Sequence, residues 1–283
     1  MKILITGING QLGYDLVRVL KEDNHEIIGT TRETMDITDF EKVKQVIEEV
    51  NPEMIIHCAA YTAVDKAETE ADMCENINVF ATENLAKLCS QKDIKFMYFS
   101  TDYVFNGQGN SFFNPEDKIE KQLNVYGRTK YEGELAVQKY LDKFFIIRIS
   151  WVFGVNGNNF IKTMIRLGKE KKSISVVADQ IGSPTYTYDL AQLVRSMVNS
   201  EKYGIYHATN EGICSWYEFA LDIFKKLNIK IDVNPVTSEE YITAAKRPKN
   251  SRLSKEKLVQ NGFKKLPSWQ DALDRYLQEL NYL

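Results

Sequence analysis

The chain has 283 residues, 43% of them apolar, with a formal net charge of −3. That length suffices to bury a sizeable core in one large or two interlocked domains. The near-neutral balance excludes a basic field for nucleic acid.

In chain order, the first 150 residues alternate β-branched runs with amphipathic stretches. Strands are expected over 2–6, 26–31, 54–58, 95–100 and 144–150, with helices over 12–21, 39–49, 76–91 and 124–140. Buried strands separated by helices predict an α/β fold, a Rossmann-type doubly wound parallel sheet with both faces covered. Beyond Trp151 the rhythm loosens, with helical patterns over 160–169, 188–196, 216–227 and 268–280, the last opened by Ser268 as N-cap. We therefore expect a dinucleotide-binding domain over 1–150, regaining part of 180–210, and a smaller mixed α/β substrate lobe over 151–283. The opening apolar strand is too short for a signal peptide, and no stretch approaches the ~20 apolar residues of a membrane span. Cys58, Cys74, Cys89 and Cys214 form no C-x-x-C pair and the three histidines are scattered. No metal site and a reduced, cytoplasmic setting are the expectation.

Gly7-Ile8-Asn9-Gly10-Gln11-Leu12-Gly13 follows the first predicted strand and opens the first helix. Glycines there let the backbone turn sharply and approach a pyrophosphate seated on the helix N-terminus. Three tight-turn glycines are the alternative. The second strand ends in Thr30-Thr31-Arg32, where an NAD-selective fold usually places an acid for the ribose. Hydroxyls followed by Arg32 suit a 2′-phosphate, so NADPH is expected; Glu33 next to it leaves NADH open. Arg32 as an ordinary surface charge is the competing reading.

Tyr126-Gly127-Arg128-Thr129-Lys130 places a phenol and an ammonium at i and i+4 on one helix face. Lysine's charge is expected to lower the phenol pKa, making Tyr126 a proton donor and acceptor near neutrality. Thr101, at the carboxyl end of the fourth strand, can hydrogen-bond a substrate carbonyl beside it; the alternative is a strand-capping hydroxyl.

These residues resemble the extended short-chain dehydrogenases, whose loops carry the same G-x-x-G-x-x-G spacing, and within them the dTDP-4-dehydrorhamnose reductase family. The resemblance covers nearly the whole chain. It rests on GINGQLG, AAYTAVDKAE (59–68), STDYVF, YGRTK, RISWVFG (148–154), ADQIGSPTY (178–186), Arg247-Pro248 and PSWQDAL (267–273). It implies NAD(P)H-dependent reduction of the 4-keto group of dTDP-6-deoxy-L-lyxo-4-hexulose. Tyr126 would give the proton, Lys130 would hold the nicotinamide ribose, Thr101 and Asp102 would touch the sugar, and Trp151 would pack on it. Asp36 and Ile37 would lie beside the adenine, and Ala59, Ala60 and Tyr61 would line the cofactor channel. Trp151 as a core aromatic is the alternative, as is a surface ion pair for Asp65 and Lys66. The resemblance also implies a monomer or homodimer and, in some members, Mg2+. The rival readings are a reductase or epimerase of another nucleotide-sugar, or a non-catalytic subunit like the regulatory subunit of methionine adenosyltransferase.

Overall fold

Runs such as Ile3-Leu4-Ile5 and Met54-Ile55-Ile56 lack polar alternation, so a sheet made from them must be covered on both faces. The computed structural model, which describes all 283 residues, covers them so completely that all six are fully buried. The strands are β1 (Lys2–Thr6), β2 (Glu26–Thr30), β3 (Met54–His57), β4 (Lys95–Thr101), β5 (Phe144–Ile149) and β6 (Gly204–His207). They pair in the order β6-β5-β4-β3-β1-β2, every pair parallel. The eight longer helices are α1 (Gln11–Leu20), α2 (Phe40–Val50), α3 (Ala81–Lys92), α4 (Val125–Tyr140), α5 (Phe160–Glu170), α6 (Thr187–Met197), α7 (Trp216–Lys226) and α8 (Trp269–Glu279).

Period-two alternation within β1 divides the core. Ile3 and Ile5 pack with Leu16 and Val19 of α1 and Leu190 and Val194 of α6, whereas Leu4 packs with Val43, Ile47, Leu85 and Val137 on the other face. Helices thus lie on both sides of a parallel sheet, the α/β class read from the sequence. A third core gathers Phe153, Ile161, Phe219, Trp269 and Tyr276 from α5, α7, α8 and the segment after β5. Around it lie a parallel pair, Ser173–Val177 with Asp232–Val236, and a three-stranded patch of Cys214–Ser215, Ile181–Gly182 and Asn250–Ser251.

Strand order reverses between β1 and β3, so a crevice opens beyond the carboxyl ends of the strands at that point. Helix starts are fixed by side-chain caps: Asn124 accepts from Gly127 N (2.7 Å), Ser215 and Glu218 form a capping box, and Ser268 accepts from Asp271 N (3.3 Å). The helix expected over 76–91 departs from the pattern, beginning with a π-helical turn at Asn76–Phe80. Within that turn the buried Asn78 amide bonds both backbone groups of Tyr61 and, one turn back, Cys74 Sγ.

Candidate active site

At the β1–α1 junction Gly7 has φ +69°, and a Cβ there would lie 2.9 Å from the Cα of Ala59. A Cβ at Gly13 would lie 2.3 Å from the Gly7 carbonyl oxygen. Only hydrogen at these two positions permits the close packing. Helix α1 starts at Gly10 with no side-chain cap and no acid in its first turn. Its positive N-terminal end is thus left to an anionic ligand, so these residues fit a dinucleotide pyrophosphate. Gln11 turns its carbonyl oxygen to Gly154 N (2.9 Å) and Asn159 Nδ2 (3.0 Å), and the Asn9 carbonyl accepts from Asn156 Nδ2 (2.7 Å). The glycine loop is thereby stitched to the segment after β5.

The loop faces a cavity of about 890 Å³. Gly7, Asn9, Gly10, Gln11, Leu12, Gly13, Arg32, Asp36, Ile37, Ala59, Ala60, Tyr61, Thr101, Asp102, Tyr126, Lys130 and Trp151 all line it. Thr30 does not. Its side chain is buried away from the cavity and its carbonyl accepts from the N–H groups of Gly7 (2.8 Å) and Ile8 (3.2 Å). The next residue, Thr31, lies one beyond the strand and lines the cavity instead. The Arg32 side chain is 83% exposed at the rim, 3.3 Å from Asp36, whose other oxygen accepts from Thr38 N and Oγ1 (2.9 and 2.7 Å). The guanidinium is therefore both a surface pair and free to take a phosphate.

Behind the channel, Thr6 Oγ1 accepts from Cys58 N and Ala59 N, both at 3.1 Å. Its one proton therefore goes to His57 Nδ1 (2.8 Å), which leaves the histidine proton on Nε2 facing Thr82. Burial, and then the Lys130 charge, lower the His57 pKa to about 3, so it stays neutral.

Helix α4 brings Tyr126 and Lys130 to the cavity. It sits so tightly on the turn Asp102–Val104 that a Cβ at Gly127 would lie 2.2 Å from the Tyr103 carbonyl oxygen. Tyr103 meets the Tyr126 ring edge-on at 5.6 Å between centroids. Lys130 is buried, its Nζ 3.9 Å from the centre of the Tyr98 ring, and burial lowers its pKa to about 7. The phenol departs from expectation. Burial pushes the Tyr126 pKa well up, opposed by the Thr101 hydroxyl and reinforced by the Asp102 charge. Thr101 points its proton at Asp102 Oδ1 (3.0 Å), and Ser251 donates to Asp102 Oδ2 (2.5 Å). Despite both bonds, burial raises the Asp102 pKa to about 6.

Trp151 holds φ +49°, a left-handed conformation uncommon outside glycine. Its ring stacks on Trp216 at 3.8 Å, and Gly182 beneath it leaves the room. Trp216 also lines a second cavity of about 1220 Å³, so the two cavities meet at this pair. No group of three or more histidine, cysteine, aspartate or glutamate side chains is arranged to hold a metal ion.

Residues 1–282 match the model of the RmlD substrate binding domain family. The chain belongs to that family. It is 39% identical to the Escherichia coli dTDP-4-dehydrorhamnose reductase, over 99% of this chain and 98% of that one. It is likewise 39% identical to the spore coat polysaccharide biosynthesis protein SpsK of Bacillus subtilis, over 98% and 97% respectively. Among solved structures, the Bacillus anthracis dTDP-4-dehydrorhamnose reductase in complex with NADP superposes with a TM-score of 0.95 at 45% identity, covering 98% of this chain and 99% of that one.

Two parts of this RmlD-family site escaped the motif reading. Asn78 holds Tyr61 N (2.9 Å) and Tyr61 O (3.1 Å) and donates to Thr129 Oγ1 (3.2 Å), joining the loop after β3 to α4. The available signal was an asparagine on the inward face of an otherwise apolar helical pattern. Trp216 was signalled only by its place beside the cap at Ser215, since stacking across 65 residues leaves no local trace.

Proposed function

We propose that this chain reduces the 4-keto group of dTDP-6-deoxy-L-lyxo-4-hexulose to give dTDP-L-rhamnose, using NADPH or NADH. The observation that carries the reading is one cavity lined both by an uncapped helix N-terminus behind a glycine cradle and by a buried tyrosine, lysine and threonine. The family and its NADP-bound member agree with it. A reduced nicotinamide, when bound, supplies the hydride. Tyr126 supplies the proton to the carbonyl oxygen. Its raised pKa keeps it protonated at neutral pH, and a nascent alkoxide is basic enough to take that proton. The Thr101 hydroxyl is a second donor to the same oxygen once its proton swings from Asp102. Lys130 would hold the cofactor ribose and bring positive charge toward the phenol on closure, stabilising the phenolate left behind.

Residues 1–150, with part of 180–210, would serve as the dinucleotide-binding body, and the rest of 151–283 as the sugar-nucleotide lobe. Trp151, with Trp216 behind it, would present its ring to the sugar, and the second cavity would take the nucleotide. No helix is long and apolar enough to cross a membrane. Four unpaired cysteines suit a cytoplasmic enzyme acting as a monomer or homodimer. The test is cofactor consumption by purified protein given this keto sugar or other dTDP-keto sugars. One NADPH oxidised per sugar reduced is expected. Interconversion of sugars without net consumption would mean an epimerase, and no turnover of any sugar would favour a binding role.

A further inference from the structure

Residues 238–249 form an irregular strap, without helix or strand, along one side of the second cavity. At its tip Ile242 is 89% exposed, an apolar side chain with nothing over it. Asp179 holds the strap's ends through Ser238 N (2.9 Å) and Lys249 Nζ (3.0 Å), and three further contacts pin its base. Arg247 Nη1 and Nη2 grip Asp65 (3.1 and 2.8 Å), which also accepts from Ala245 N (3.1 Å). Pro248 lies against Gly107, which has φ +66° and whose carbonyl accepts from Asn250 N (2.9 Å). Asn124 Nδ2 donates to the Lys246 carbonyl at 2.8 Å.

The third contact is unlike the others because Asn124 is also the N-cap of α4. Its Oδ1 accepts from Gly127 N at 2.7 Å, within the turn that carries Tyr126. The side chain is buried, so one rigid amide spends its oxygen on the Tyr126 helix and its nitrogen on the strap. Serine, threonine and aspartate also cap helices. Aspartate has no donor for the Lys246 carbonyl, and the hydroxyls are too short to reach it while capping.

We propose that Asn124 is a positioning residue that ties the strap over the second cavity to the helix carrying Tyr126, so that a sugar nucleotide filling that cavity holds the proton donor in register. The inference rests on the function given above. Asn124→Asp and Asn124→Ser both keep the cap and lose the strap, and serine does so without adding charge near Glu68, which accepts from Val125 N. Loss of one hydrogen bond should raise KM for the dTDP-keto sugar and lower kcat, each about two- to tenfold, in both variants. KM for NADPH and the melting temperature should hold at wild-type values, and amide exchange should quicken over residues 238–249. Asn124→Ala, which also loses the cap, should lower the melting temperature as well.

Wild-type KM in both cap-preserving variants would overturn the proposal, as would losses of equal size in sugar binding, cofactor binding and melting temperature. Amide exchange is read on ligand-free protein and does not depend on the substrate. A wrong functional reading would show instead as wild-type protein that oxidises no NADPH with the keto sugar.

Discussion

Lys130→Met should stabilise the ligand-free protein while crippling it as a reductase. The lysine is 3% exposed, and burial lowers its pKa from 10.5 to about 7. At about 1.36 kcal/mol for each tenfold change in proton affinity, the folded chain holds the protonated lysine less favourably than the unfolded chain by about 5 kcal/mol. Water entry and side-chain relaxation around a buried ion reduce that figure. Linkage gives the sign. Between pH 7 and 10.5 the unfolded chain keeps a proton that the folded chain has released, so this site makes stability rise with pH across that window. Below pH 7 the whole penalty is present, and above 10.5 it is gone. Methionine fills much of the same space without charge. The variant's gain should therefore be largest near pH 6, shrink through the window and vanish at its upper end. Melting curves of wild type and variant at matched pH isolate the effect, because titrations shared by both proteins cancel in the difference. A variant no more stable than wild type near pH 6, or a gain that grows with pH, would refute the reasoning. The same variant should bind NADPH more weakly and turn over slowly, which separates the lysine's use from its cost.

Other perturbations test other links. Tyr126→Phe keeps the ring and removes the proton, so kcat should fall by ~10²–10⁴ with melting temperature and NADPH affinity unchanged; near-normal kcat would assign the acid elsewhere. Glu134→Gln breaks a fully buried pair in which both carboxylate oxygens meet Arg148 (2.9 and 2.7 Å). Denaturant melts should show a loss of about 3–5 kcal/mol, and removing both charges together should recover much of it. With Thr31 and Arg32 at the cavity rim and no acid at the strand end, kcat/KM for NADPH should at least equal that for NADH. Arg32→Ala should lower the NADPH value selectively, and a wild-type preference for NADH would show that the rim does not read the phosphate.

What was legible in the sequence followed from short-range rules. The all-apolar strands, the glycine cradle, the i, i+4 pair and the cap at Ser268 each need only local periodicity or spacing, and the structure reproduces them. What was not legible depends on which face or partner the fold supplies. Thr30 closes β2 paired with Thr6 of β1, whereas Thr31, one residue beyond the strand, lines the cavity. The phenol's pKa departs from the expectation because Y-x-x-x-K specifies a cation nearby but not the depth of burial, which raises it. Asn78, Trp216 and Asn124 act through partners 17 to 122 residues away in sequence, as their bonds and stacking show. No window of local pattern reaches that far.

The proposed function requires net hydride transfer to the sugar. NADPH carrying deuterium at the transferable position of its nicotinamide, incubated with the protein and the dTDP-4-keto-6-deoxysugar, tests that directly by mass and NMR analysis of the product. The proposed function predicts one deuterium at C4 of the product sugar for each NADPH oxidised. Deuterium retained on the recovered cofactor, or a product without label at C4, would contradict it.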